Sequence, residues 1–266
     1  MVKRIESIGV STLYVLLFIG SQIAANVLAM SVIWLWCSLQ NNLIDISRSI
    51  LDIISNNALF LSIFGNLLFL CTIFVIQRKK QIVINFKMDV NSLSCSYFKW
   101  ALFSIICFSL MWNGIFAAFP ALQSIPVMDT MVQGNWLVYI LAIYVFAPIT
   151  EELCFREIIL PKLLQNLSTI SAIIISATLF ASVHLMTGSF ITVLFAFIGG
   201  VIFAACYSLT KSLTATIIVH IAGNLCEFVW YLITQTSITI QLIILVAVSC
   251  GTLFLLWILI KEVVKG

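Results

Sequence analysis

Residues 146–164 read FAPITEELCFREIILPKLL, placing Glu151, Glu152, Arg156, Glu157 and Lys162 within an otherwise apolar run. The 266-residue chain around it is 62% hydrophobic and only 9% charged. A soluble globular domain carries about 25% charged residues. The mean hydropathy of +1.18 points the same way. The run is long enough to cross a bilayer, so its charges sit where they are costly. Whether it is a membrane span decides the fold.

Each helical span needs about 20 apolar residues. Eight such runs are read, at 8–37, 58–76, 100–119, 136–160, 170–187, 190–209, 213–233 and 238–260. They are continuously apolar and do not alternate, which excludes a transmembrane β-barrel. The expected fold is an all-α membrane protein, a polytopic bundle of about eight transmembrane helices. It forms one integral-membrane domain over 1–266, with no soluble domain or repeat. The long connections are 38–57, 77–99 and 120–135, with a weakly patterned interfacial helix in 77–99.

Positive charge orients the bundle. With eight crossings, Lys3, Arg4, Arg78, Lys79, Lys80, Lys87, Lys99, Lys162, Lys211, Lys261 and Lys265 fall on one side and only Arg48 on the other. Lys and Arg are retained in the cytoplasm. The expectation is a multi-pass cell-membrane protein with both termini cytoplasmic. The net charge of +3 is then an orientation signal, and nucleic acid is not an expected partner. The basic run at 78–80 flanks a span. The first apolar run continues past Ala24 and Ala25 to Trp36, longer than a signal-peptide core, and reads as a retained span, with a cleaved signal as the alternative. The eight cysteines include no C-x-x-C pair and mostly lie in apolar segments, where Cys acts as a small hydrophobe.

An ionisable group inside a span costs about 2.5–3.5 kcal/mol on insertion scales, which makes each one a functional-site candidate. Inside these spans lie Glu151, Glu152, Arg156, Glu157, His184, His220 and Glu227, with the polar Asn224 beside them. Glu152 and Arg156 are i, i+4 and share a helix face. Glu151 is turned about 100° away. Phe180 with His184, and His220 with Asn224, are also i, i+4. Counted at 1.5 Å per residue from the cytoplasmic turns, Glu151 and His184 lie roughly 20 Å deep and His220 and Asn224 roughly 13–20 Å. These groups can share one level and form one site. Pro148 lacks an N–H and clashes with the carbonyl of Tyr144, so a kink is expected one turn before the glutamates. Pro161 bends or ends the same helix.

In order along the chain stand Glu151-Glu152-x-x-x-Arg156, Phe180-x-x-x-His184 and His220-x-x-x-Asn224. Over a core of about 140–230 this set resembles the CPBP family, the CAAX proteases and bacteriocin-processing enzymes also called Abi proteins. A glycine often follows the arginine in that family, and here the residue is Glu157. The resemblance implies an intramembrane endopeptidase with a conical catalytic cavity open to the cytoplasmic side. It implies Glu151 as the base that activates water, His184 holding or polarising it, and His220 and Asn224 as donors to the oxyanion. Glu152 with Arg156 would be the structural brace. Expected partners are the lipid bilayer and a hydrophobic or membrane-bound peptide, such as a lipidated CAAX-like tail, a bacteriocin-like precursor or a signalling peptide.

Blander roles stand beside these. A buried Glu–Arg pair can merely tie helices, but two glutamates to one arginine leave a carboxyl that a bridge does not use. Two His and one Glu equal the ligand count of a catalytic zinc site. There is no HExxH, and no cofactor is expected. A non-enzymatic immunity or scaffold protein that binds a bacteriocin-like peptide is the alternative function. A proton-relaying transporter is a third, without an inverted repeat to support it. Glu227, at i+7 from His220, lines the cavity or bonds a neighbouring helix. Glu157 and Lys162 are expected to be solvated near the cytoplasmic surface, and Gly199-Gly200 to mark a close helix contact.

Overall fold

The computed structural model describes residues 2–39, 57–80, 90–118, 136–187, 190–234 and 236–265. Arg48, Lys87 and most of the three long connections lie outside them. The described chain is all helical: α1 (Val2–Leu39), α2 (Ala58–Lys80), α3 (Ser96–Ala118), α4 (Trp136–Leu164), α5 (Thr169–Val183), α6 (Phe190–Thr210), α7 (Leu213–Thr234) and α8 (Ile238–Lys265). From the 77–99 connection, the described part holds a 3-10 turn, Val90–Ser94, leading into α3.

Seven of these helices are long and apolar enough to cross a membrane. The expected fifth span is the exception, a helix of 15 residues. It stops at the histidine of its own motif. His184 takes φ −77° and ψ −5°, and its N–H reaches back to Ala181 and Ser182, which tightens the chain into a 3-10 turn, His184–Thr187. Helix and turn together reach roughly 30 Å, about the thickness of the hydrocarbon core.

Hydroxyls in these apolar helices bond to carbonyls of the preceding turn, as Ser31 does to Val27, Ser104 to Trp100 and Thr252 to Val248. That local bond removes the penalty of a bare hydroxyl in lipid. The outer helices α1 and α8 bury 17% of their apolar window, whereas α6 buries 50% and is the central helix. It packs on α3, α5 and α7. Gly200 makes the α5 contact possible: a Cβ there would lie 3.2 Å from the Ala177 Cα and 3.1 Å from the Phe180 ring. A Cβ on its neighbour Gly199 would meet only ordinary contacts, the nearest to Phe203 at 3.7 Å.

The motifs ride on two antiparallel hairpins. In α4–α5, Ser168 caps α5 by accepting from the Ser171 N–H. Ser7 of α1 donates to the Lys162 carbonyl at 3.0 Å and accepts from Asn166 at 2.7 Å. In α6–α7 the turn passes through Lys211, at φ 53°, and Ser212 then accepts from the Ala215 N–H. Ser92 ties this turn to the segment before α3 by donating to the Ser212 hydroxyl at 2.8 Å.

The expected kink in α4 takes a particular form. The helix widens to π geometry over Leu141–Phe146 and again over Leu153–Ile159, each time just before a proline. The Ala147 N–H bonds to the Ala142 carbonyl and the Leu160 N–H to the Phe155 carbonyl, both five residues back. Widening the turn relieves the clash of Pro148 and Pro161 with the carbonyl four residues earlier. Glu151 and Glu152 occupy the α-helical piece, Ala147–Glu152, between the two π segments.

Candidate active site

Glu152 is the hub of the charged groups. Its Oε2 lies 3.0 Å from Nε of Arg156, with both side chains 0% exposed. Its Oε1 accepts from His220 Nδ1 at 2.9 Å. The sequence spacing anticipated the arginine; the histidine comes from α7, 68 residues away. Glu151 Oε2 stands 3.8 Å from His220 Nε2, and at 16% its side chain is more accessible than the 7% of His220. Four groups therefore run in one chain: Arg156, Glu152, His220, Glu151.

Arg156 sits in an aromatic cage. Its guanidinium carbon is 4.9 Å from the Phe180 centroid, 5.6 Å from Phe203 and 5.8 Å from Phe155. Nη1 and Nη2 have no hydrogen-bond partner among the described residues, so charge contact with Glu152 and the ring faces hold the cation. Guanidinium suits such a place because it is weakly hydrated and stacks on rings. Phe180, the first residue of its motif, also lies 5.0 Å from the His184 ring and 6.0 Å from His220. Phe203 stacks on His220 at 4.4 Å and 18°. Nothing in the sequence marked Phe203, one aromatic among several in α6.

Each histidine is anchored through Nδ1. That atom of His184 lies 3.2 Å from the Phe180 carbonyl, which only accepts, so Nδ1 is the donor. The carbonyl is accessible because the His184 N–H has tightened to Ala181 and Ser182. His220 is anchored on a carboxylate, Glu152 Oε1, which accepts from Nδ1.

Asn224 donates from Nδ2 to the Ile143 carbonyl of α4 at 2.9 Å. In the π register that carbonyl would be served by residue 148, which is proline. Glu227, one turn further along α7, accepts from Tyr139 at 3.4 Å and so bonds a neighbouring helix. Glu157 departs from its expected solvation: it is half-buried and accepts from the Tyr207 hydroxyl at 2.7 Å, linking α4 to α6. Cys71, Cys95, Cys107, Cys154, Cys206, Cys226 and Cys250 are free thiols.

His184, His220 and Asn224 meet at one cavity of about 60 Å³ between α3, α5, α6 and α7. Phe180, Phe195 and Phe203 form its apolar wall, and Ile105, Ser109, Ala196, Gly199 and Gly223 complete the lining. Glu151 is not among the lining residues and reaches this space through His220. Among the described residues no three His, Cys, Asp or Glu side chains are grouped to hold a metal ion.

Residues 133–226 match the family described as type II CAAX prenyl endopeptidase Rce1-like. No curated protein and no solved structure matches the chain.

Proposed function

With its motif-bearing core, residues 133–226, belonging to the CAAX protease family, we propose that the chain is a glutamate-dependent intramembrane endopeptidase. The observation that carries this is His220 held between two carboxylates, Nδ1 on Glu152 at 2.9 Å and Nε2 toward Glu151 at 3.8 Å.

Glu151 takes a proton from water, and the oxygen attacks the carbonyl carbon of the scissile amide. His184, with Nε2 as acceptor, orients that water. Negative charge passes to the carbonyl oxygen, where His220 donates from Nε2. With Nδ1 donating to Glu152, both ring nitrogens of His220 act as donors in this step. Asn224 spends one N–H on Ile143, and an amide has two. The second serves as the other donor. Collapse breaks the C–N bond, and the proton held by Glu151 leaves on the amine. Donors placed where charge develops are each worth about 3–4 kcal/mol of barrier. Glu152 and Arg156 hold His220 and the face of α4.

The substrate is a hydrophobic or membrane-bound peptide: a lipidated CAAX-like tail, a bacteriocin-like precursor or a signalling peptide. Charge asymmetry supports a cytoplasmic cavity mouth and cytoplasmic termini. The test is Glu151→Gln at matched membrane abundance, with cleavage of a membrane-tethered peptide as the readout. Loss of at least about 100-fold is expected. Undiminished cleavage removes Glu151 as the base, and full biological activity without cleavage leaves a membrane protein that binds its peptide, as in immunity.

A further inference from the structure

Four polar side chains line the cavity, and three have a known tie: His184 on the Phe180 carbonyl, His220 on Glu152 and Asn224 on the Ile143 carbonyl. The fourth is Ser109 of α3, a helix that carries none of the motifs. Its hydroxyl is fully buried and has no hydrogen-bond partner among the described residues. Ser104, on the same helix, bonds back to the Trp100 carbonyl at 2.7 Å, as span serines do. Ser109 forgoes that bond.

Gly223 brings this hydroxyl to the site. A Cβ at 223 would lie 2.8 Å from Ile105 Cγ1 and 3.5 Å from Ser109 Oγ, so only glycine lets α3 approach α7 this closely beside Asn224. A buried polar atom without a partner is destabilising unless a water or ligand satisfies it. The cavity, at about 60 Å³, has room for water and for a carbonyl group but not for a large side chain.

We propose that Ser109 is a further catalytic residue, whose hydroxyl donates to the carbonyl oxygen of the scissile bond beside His220 and Asn224. This role rests on the endopeptidase function above. The O–H bond of Ser109 stays intact throughout. No base contacts its oxygen among the described residues, so it is a donor and not a nucleophile.

The experiment uses the full-length protein in phospholipid nanodiscs. The probes are a fluorophore–quencher peptide ending in a farnesylated CAAX sequence and its unprenylated form. Ser109→Ala should lower kcat about tenfold or more, with KM within about twofold. Its thermal stability should equal or exceed that of the parent, because no protein bond is lost. Ser109→Thr, which keeps the hydroxyl, should retain more activity than Ser109→Ala. Parental kcat in Ser109→Ala, or a clear fall in its thermal stability, overturns the assignment. The two failures are distinct: Glu151-dependent cleavage that ignores Ser109→Ala sinks Ser109 alone. Absence of any Glu151-dependent cleavage sinks the endopeptidase function and this role with it.

Discussion

The Asn224 side-chain amide donates to the Ile143 carbonyl at 2.9 Å, where Pro148 has no N–H to offer. One motif residue thus repairs a backbone defect next to another motif. Asn224→Ala should cost about 1–3 kcal/mol, the usual loss when a buried carbonyl is orphaned. In a Pro148→Ala background, which restores an N–H, the same substitution should cost clearly less. A double-mutant cycle on thermal unfolding in detergent measures this, and equal losses in both backgrounds would refute the repair.

Glu152 and Arg156 are both fully buried and face each other at 3.0 Å. Removing either charge alone, as in Glu152→Leu or Arg156→Leu, should destabilise by about 3–5 kcal/mol through the charge left behind. The double substitution should be less harmful than the sum of the singles. His220 complicates the glutamate side, since Glu152→Gln keeps the shape but removes the counter-charge of the imidazole. Cleavage per folded molecule reduced at least about tenfold is expected for that variant, beyond the loss of stability it shares with Glu152→Leu. Full activity would show that His220 does not depend on this carboxylate.

Gly223→Ala should collide with Ile105 and cost about 1–3 kcal/mol, as overpacked sites do. Ile105→Ala removes the colliding carbon and should recover part of that loss. Thermal stability of the three variants decides the matter; an additive pair would place the strain elsewhere.

Lys211 holds φ 53° in the tight turn between α6 and α7, a conformation that disfavours side chains. Lys211→Gly should leave cleavage unchanged and raise stability by up to about 1 kcal/mol. Lys211→Val should lower it, and equal melting temperatures for both would contradict a strained turn.

Much of this arrangement was legible before any coordinates. Hydropathy alone delivers a helical membrane bundle, and i, i+4 spacing delivers Glu152 beside Arg156. Counting rise from the turns placed Glu151, His184, His220 and Asn224 at one depth; the last three line one cavity, and Glu151 stands outside its lining, beside His220. What counting cannot supply is which way a helix is turned about its axis. His220 therefore stands 3.8 Å from Glu151, and Glu152 serves a histidine as well as an arginine. The short α5 was hidden because Leu185 and Met186 of the 3-10 turn that ends it carry the apolar run onward. Phe203 and the burial of Glu157 depend on neighbours from distant segments, which no local pattern encodes.

The two π segments of α4 have a consequence for its rotational phase. Each holds one residue more than an α-helical turn, so everything beyond it is swung by about 100°. Trp136–Ile140, Ala147–Glu152 and Leu160–Leu164 are therefore three short rods on one axis with separate headings. The middle rod can aim its carboxylates inward while its neighbours satisfy α2 on one side and α1 and α5 on the other. Losing a single residue from either wide turn would leave every side chain of the site in the sequence and point the carboxylates at the wrong neighbours.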